Sequence, residues 1–164
     1  MAQSTLPKVR RDGSIVVADS AAHTYTIGYE DGDVSFKKDK AARIVVRNRG
    51  VITTVRKGDD PVIQLSFSVH MRQFTGGTDV NLCDVLEGTG KVATIPWVNS
   101  TAIYAAEFAS FDWTFQVEGT TPDGADHTAV FRACVGTWDF AEGDPNKISV
   151  TLECHGGVTF TGPA

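Results

Sequence analysis

From Ile63 the chain alternates without a break: Ile63, Leu65, Phe67, Val69 and Met71 take one phase, and Gln64, Ser66, Ser68, His70 and Arg72 the other. Successive side chains of a strand point to opposite faces, so this pattern dictates a long strand with one face in a core and one in water. A second instance sets Phe111, Trp113, Phe115 and Val117 against Asp112, Thr114, Gln116 and Glu118, and strong turn chemistry follows over 119–124. Its hairpin partner spans 128–140, with Ala129, Phe131, Ala133 and Val135 on one face before the phase jumps to Trp138 and Phe140. The jump predicts a bulge centred on Gly136. After the turn Asp144-Pro145-Asn146, the residues Ile148, Val150, Leu152 and Cys154 alternate with Lys147, Ser149, Thr151 and Glu153. Three consecutive antiparallel strands make a meander.

Shorter strands are predicted at 14–18, 24–29, 34–37, 43–47 and 50–56, with hairpin turns at Asp31-Gly32-Asp33 and Asn48-Arg49-Gly50. The second of these hairpins reads as a projecting arm, with Ile44, Val45, Val46, Val51, Ile52 and Val55 inside and Arg43, Arg47, Arg49, Arg56 and Lys57 around them. One segment, about 78–88, reads as a helix: Thr78 as N-cap, Asp79 in the first turn, Val80, Leu82, Cys83 and Leu86 on one face, and Gly88 as the stop. The stretch 89–109 has no sustained period and reads as irregular. Residues 1–13 are polar and basic and read as a flexible N-terminal segment. The remainder, 14–164, reads as a single β-sandwich domain with the arm at 39–60; the fold class is all-β with one flanking α-helix.

At 164 residues the chain can bury a core of its own, and no apolar run reaches bilayer length, so no membrane partner is expected. The net charge of −5 conceals a split. Residues 1–57 carry 11 basic and 6 acidic groups, a balance of +5, whereas 58–164 carry 4 and 14, a balance of −10. Three cysteines in a chain that opens on polar residues suit a reducing cytoplasm; Cys134 and Cys154 could be strand neighbours but read as buried thiols acting as small hydrophobes.

Catalytic chemistry is missing from the pattern. Gly88-Thr89-Gly90-Lys91 lacks the earlier glycine and the closing hydroxyl of a phosphate loop, because Val85 and Val92 stand there. No nucleophile elbow or dinucleotide fingerprint occurs. His23, His70, His127 and His155 have no ligand spacing, and Asp31-Gly32-Asp33 and 123–126 lack the alternate ligands of a calcium loop. The expectation is therefore no enzyme, no cofactor and no metal. The basic cluster of Lys37, Lys38, Lys40 and the arm has only Phe36 near it as a stacking aromatic, so a partner-docking arm fits better than a nucleic-acid groove.

At the residue level, 130–157 combines an aromatic strand, Glu142-Gly143-Asp144-Pro145-Asn146, and an alternating strand ending in Gly156-Gly157. This region resembles the C-terminal hairpin of tailed-bacteriophage tail tube proteins, most firmly over 111–160. The resemblance implies a two-sheet β-sandwich flanked by a helix, six copies of which form a ring whose inner strands join into one continuous β-barrel. Rings stack into the tube of a virion tail, after assembly in the host cytoplasm, and DNA passes through without specific binding. Its partners would be further copies of itself together with tape-measure, terminator and baseplate or tail-tip proteins. Applied to this chain, the resemblance gives 1–13 and the arm the role of bridging rings, with Arg43, Arg47, Arg49, Arg56 and Lys57 as docking residues. Gln64, Ser66, Ser68, Gln116, Glu118, Ser149, Thr151 and Glu153 would suit the lumen wall. Two other readings compete: a glycan- or receptor-binding module presenting Trp97, Trp113 or Trp138, and a capsid decoration or tail-completion protein.

Overall fold

A computed structural model describes residues 13–27, 34–72, 74, 79–95, 97–100, 108–117 and 127–162. In chain order its elements are β1 (Gly13–Ala18), β2 (Thr24–Ile27), β3 (Ser35–Lys37), β4 (Arg43–Asn48), β5 (Val51–Lys57), β6 (Ile63–His70), α1 (Leu82–Glu87), α2 (Gly90–Thr94), β7 (Phe111–Val117), β8 (His127–Ala141), β9 (Lys147–Cys154) and β10 (Val158–Thr161). The expected meander is present. β7, β8 and β9 are neighbours in one antiparallel sheet of order β2-β1-β7-β8-β9-β6-β3, with β10 also on β8. β4 and β5 form a separate two-stranded sheet.

The 15-residue β8 is the spine. Phe131 faces Trp113 of β7 on one edge and Val158 of β10 on the other, and Cys134 faces Phe111 of β7 and Cys154 of β9. β9 and β10 therefore lie in line along one edge of β8, joined through His155-Gly156-Gly157. The sheet folds over on itself. Phe67 of β6 packs on Trp113 of β7 with ring centroids 5.5 Å apart, and Phe36 of β3 reaches Phe131 at 5.4 Å and Phe160 at 5.7 Å. The two layers of the sandwich are thus two halves of one continuous sheet. Between them sit Val17, Leu65, Trp113, Phe131, Ile148, Val150 and Leu152, each essentially inaccessible. These are the in-phase residues of their strands, and burying one side chain of this size is worth roughly 1.5–3 kcal/mol.

Four local expectations are corrected. The bulge lies at Ala133, not Gly136: Ala133 has φ 50°, and the register with β7 shifts between Phe111 and Trp113. Asp112 holds it, with Oδ1 accepting from the Ala133 amide at 2.9 Å and from the Ser100 hydroxyl at 2.9 Å, and Oδ2 accepting from Arg132 Nη1 at 3.4 Å. Gly136 serves packing instead. A Cβ there would fall 2.6 Å from Leu152 Cδ2 and 2.8 Å from Leu86 Cδ2, so its absence lets α1 rest on β8.

The helix is also shorter than its periodicity suggests. Asn81 is its N-cap, accepting from the Asp84 amide at 3.0 Å, and Gly88 closes it at φ 65°, while Thr78 lies outside the described residues. A second helix, α2, opens at Gly90 within the stretch read as irregular; a side chain at Gly90 would collide with the Asp84 carboxylate. The predicted pairing across Asp31-Gly32-Asp33 does not occur, because β2 pairs with β1 and β3 with β6 at opposite ends of the sheet order. The turn itself lies outside the described residues, as does the segment 1–12.

Candidate assembly surfaces

The alternation of β6 and β9 leaves a polar outer face that widens across four strands. Register places Ser35, Ser66, Thr151 and Thr137 in one row, Ser68, Ser149 and Asp139 in a second, and Lys37, Gln64, Glu153 and Val135 in a third. The Ser35 and Ser66 hydroxyls are hydrogen-bonded at 2.8 Å. Six of the eight residues expected on a lumen wall, Gln64, Ser66, Ser68, Ser149, Thr151 and Glu153, meet on this face. Gln116 sits on the outer face of the other half, opposite Ser14 and Thr128, and Glu118 lies outside the described residues. The neighbouring β3 and the second half of β8, which complete the face, were not predicted to belong to it; β3 is three residues long, too short to show a phase.

The arm is built from the same chemistry to the opposite end. Asn48 faces Val51, which leaves Arg49 and Gly50 as a two-residue loop with φ 49° and 84°. Both positive angles match the turn whose twist suits a tight hairpin, and Gly50 makes the second one cheap. Thr53 is the extra residue of a bulge between Val46 and Arg47, and its hydroxyl donates to the Val46 carbonyl at 3.0 Å. The expectation that the arm's apolar residues lie inside is overturned. Every residue of β4 and β5 is exposed, Val51 at 67% and Ile44 and Val55 at 54%. Register sorts Val45, Ile52 and Val55 onto one face and Ile44, Val46 and Val51 onto the other. A two-stranded ribbon has no interior, so alternation cannot bury either face within the chain. The five basic residues Arg43, Arg47, Arg49, Arg56 and Lys57 do sit together on it, with no acid between positions 43 and 57.

The remaining candidates resolve into structural roles. Trp113 is buried; Trp97 is half-buried against Phe111 at 5.1 Å and stacks on His23 at 6.1 Å; Trp138 is half-buried and donates from Nε1 to Glu87 at 2.7 Å. Each indole is thus engaged within the chain. Cys134 and Cys154 face each other across β8 and β9, with sulfurs 2.7 Å apart, both buried. Burial, then the neighbouring Cys154, pushes the Cys134 thiol far above its ordinary range. Burial likewise raises Cys83. Asp19 is the opposite case. Burial works to raise its pKa, but His23 Nδ1 at 2.8 Å and the amides of Val98, His23 and Ala21 together hold it below the ordinary 3.8. This carboxylate ties the β1–β2 turn to the segment around Trp97. Among the described residues no group of His, Cys, Asp or Glu converges as a metal cage would, and no helix is long and apolar enough to cross a membrane.

No protein-family model matches the sequence, and no curated protein does. Solved structures share the fold nearly end to end. A chain of the PVC sheath-tube complex of an extracellular contractile injection system matches with a TM-score of 0.59 at 13% identity, over 98% of this chain and 99% of its own. A chain of the PVC sheath/tube terminator matches with a TM-score of 0.59 at 15% identity, over 98% and 99%. A chain of the anti-feeding prophage tube-terminating cap matches with a TM-score of 0.55 at 12% identity, over 98% and 95%. The fold of this chain is therefore one that components of phage-tail-like contractile particles also adopt.

Proposed function

We propose that this chain is the tube subunit of a phage-tail-like particle, a non-enzymatic structural protein. The observation that carries the reading is the coverage: the fold match runs over 98% of this chain and 99% of a chain from a sheath-tube complex. The architecture supports it physically. Among the described residues the sheet order ends in β2 and β3, and exposed strand edges are a liability that closure into a ring removes. Six copies in a ring would set the hydroxyl-rich face of β3, β6, β9 and β8 toward the lumen. That face carries Lys37 and Lys147 against Asp139 and Glu153, so it is close to neutral, and a neutral wall lets a polyanion such as DNA slide because it offers no array of cations to hold phosphates. The arm and the segment 1–13 would bridge to other copies, with tape-measure, terminator and baseplate proteins completing the tail of a virion or virion-like particle.

Negative-stain electron microscopy of the purified protein, alone and with its tail partners, tests this. Rings or tubes about the width of a tail are expected; a strictly monomeric species under every condition sinks the proposal. A second reading, a ring that closes the end of a tube, is favoured by the matches to a terminator and a cap, and rings that never extend would select it.

A further inference from the structure

The arm leaves the body at one end of β6, and the other end of the same strand carries its chemical complement. Ile63, the first residue of β6, faces Cys154, and the arm closes just before it, where the Gly58 amide donates to the Ala42 carbonyl at 2.7 Å. Seven residues further, roughly 24 Å at strand rise, His70 faces Lys147, and the Met71 amide donates to the Asn146 carbonyl in the β8–β9 turn. At that end Phe74 packs on Trp138 at 6.3 Å and on Phe140 at 5.2 Å. Phe74 and Phe140 remain 46% and 41% exposed. Glu87 borders this aromatic group through its bond to Trp138, and Glu142 and Asp144 project from the turn that follows Phe140.

We infer that the arm of one copy seats on this acidic aromatic end of a second copy, contacts being made between Arg47 and Arg49 at the arm tip and Glu142 and Asp144 of the partner copy's turn, over Phe74 and Phe140. The inference rests on the tube-subunit reading and names the acceptor that reading lacks. The occupant is a second copy because the two surfaces complement each other within one sequence. The arm contributes +5, and the rest of the chain holds 10 basic and 20 acidic groups, a balance of −10. Apolar β-branched residues flank the arm's charges, and exposed aromatics flank the acids, so desolvating each surface buries apolar area alongside paired charge. The two surfaces are different patches at opposite ends of one strand, so a heterologous contact between them propagates head to tail.

The test is a charge swap read by pelleting and electron microscopy, with folding of each variant checked by circular dichroism. Arg47→Glu with Arg49→Glu, and separately Glu142→Lys with Asp144→Lys, should each leave a folded protein whose assembly is weaker by about tenfold or more, since like charges then face each other. The quadruple variant should regain assembly. If it assembles no better than either double variant, or if the turn variant assembles like wild type, the inference falls. A turn variant that misfolds is replaced by Phe140→Ser, which should also block assembly; normal assembly of that variant overturns the proposal. If wild type itself never assembles under any condition, the tube reading fails first, which separates the two outcomes.

Discussion

The body and the arm are written in the same alphabet and meet opposite fates. In β9 the pattern of Ile148, Val150, Leu152 and Cys154 against polar neighbours becomes four buried and four less buried positions, one face in and one out. In β4 and β5 six equally apolar residues stay exposed on both faces. The difference lies in what each strand has beside it. β9 has β8 and β6 as neighbours and a second layer beneath, whereas among the described residues β4 and β5 pair only with each other. Contiguous exposed apolar surface on a stable protein marks an interaction site, which is the physical ground for reading the arm as a docking element.

Perturbing the body should give the largest effects. Trp113→Ala removes a fully buried indole that contacts Phe67, and a loss of about 3–5 kcal/mol is expected by denaturant unfolding. A loss below about 1 kcal/mol would break the view that the folded-over halves hold each other. Next comes the bulge. Asp112→Ala leaves the Ala133 amide and the Ser100 hydroxyl without their acceptor, which should cost about 1–3 kcal/mol by the same measurement. Leaving the bulge's hydrogen bonds unsatisfied without any such cost would show that Ala133 is held by backbone pairing alone.

A pH measurement sharpens the comparison further. The folded-state pKa of Asp19 lies below its ordinary 3.8, so its contribution is complete above that value and is lost as pH falls through the folded pKa. Acid unfolding below about pH 4 should therefore be less steep in Asp19→Asn than in wild type, with the variant less stable at neutral pH. Parallel acid transitions would remove Asp19 from the account. Smallest for stability is the arm. Val45→Thr with Val55→Thr on one face, or Ile44→Thr with Val46→Thr on the other, should shift unfolding by no more than about 0.5 kcal/mol. Both pairs should still reduce pelleting, since both faces are apolar. A pair that assembles like wild type would assign its face to water.

Much of the body was legible because a period of two with large apolar residues has one solution. The meander, the inward phase of Phe111 and Trp113, and the wet face of β6 and β9 follow from side-chain direction alone. The misreadings share a cause. Gly136 looks like a bulge residue, yet its missing Cβ makes room for Leu86, which is 50 positions away in the chain. Asn81 caps a helix that periodicity starts earlier, since a cap depends on backbone geometry and hydrogen bonding that Thr78 could satisfy equally well on paper. The strand β10 follows a glycine pair that reads as an end, and only the in-line placement beside β8 shows it continuing the edge that β9 began. Among the candidate site residues, the basic cluster was visible as composition, while the acidic aromatic end was not: Phe74, Glu87 and the pair Trp138 and Phe140 lie far from one another in sequence.

By itself the sequence determined which residues seek a core and which seek water, because hydrophobic periodicity follows from the direction in which each backbone geometry throws its side chains. It also determined the separation of basic from acidic charge. The tertiary structure alone decided that β2 and β3 become opposite ends of one sheet order, that the arm's apolar residues stay exposed, and that Phe74, Trp138 and Phe140 meet at the far end of β6. Those outcomes depend on long-range pairing, where each register is selected by contacts between strands that no local pattern encodes.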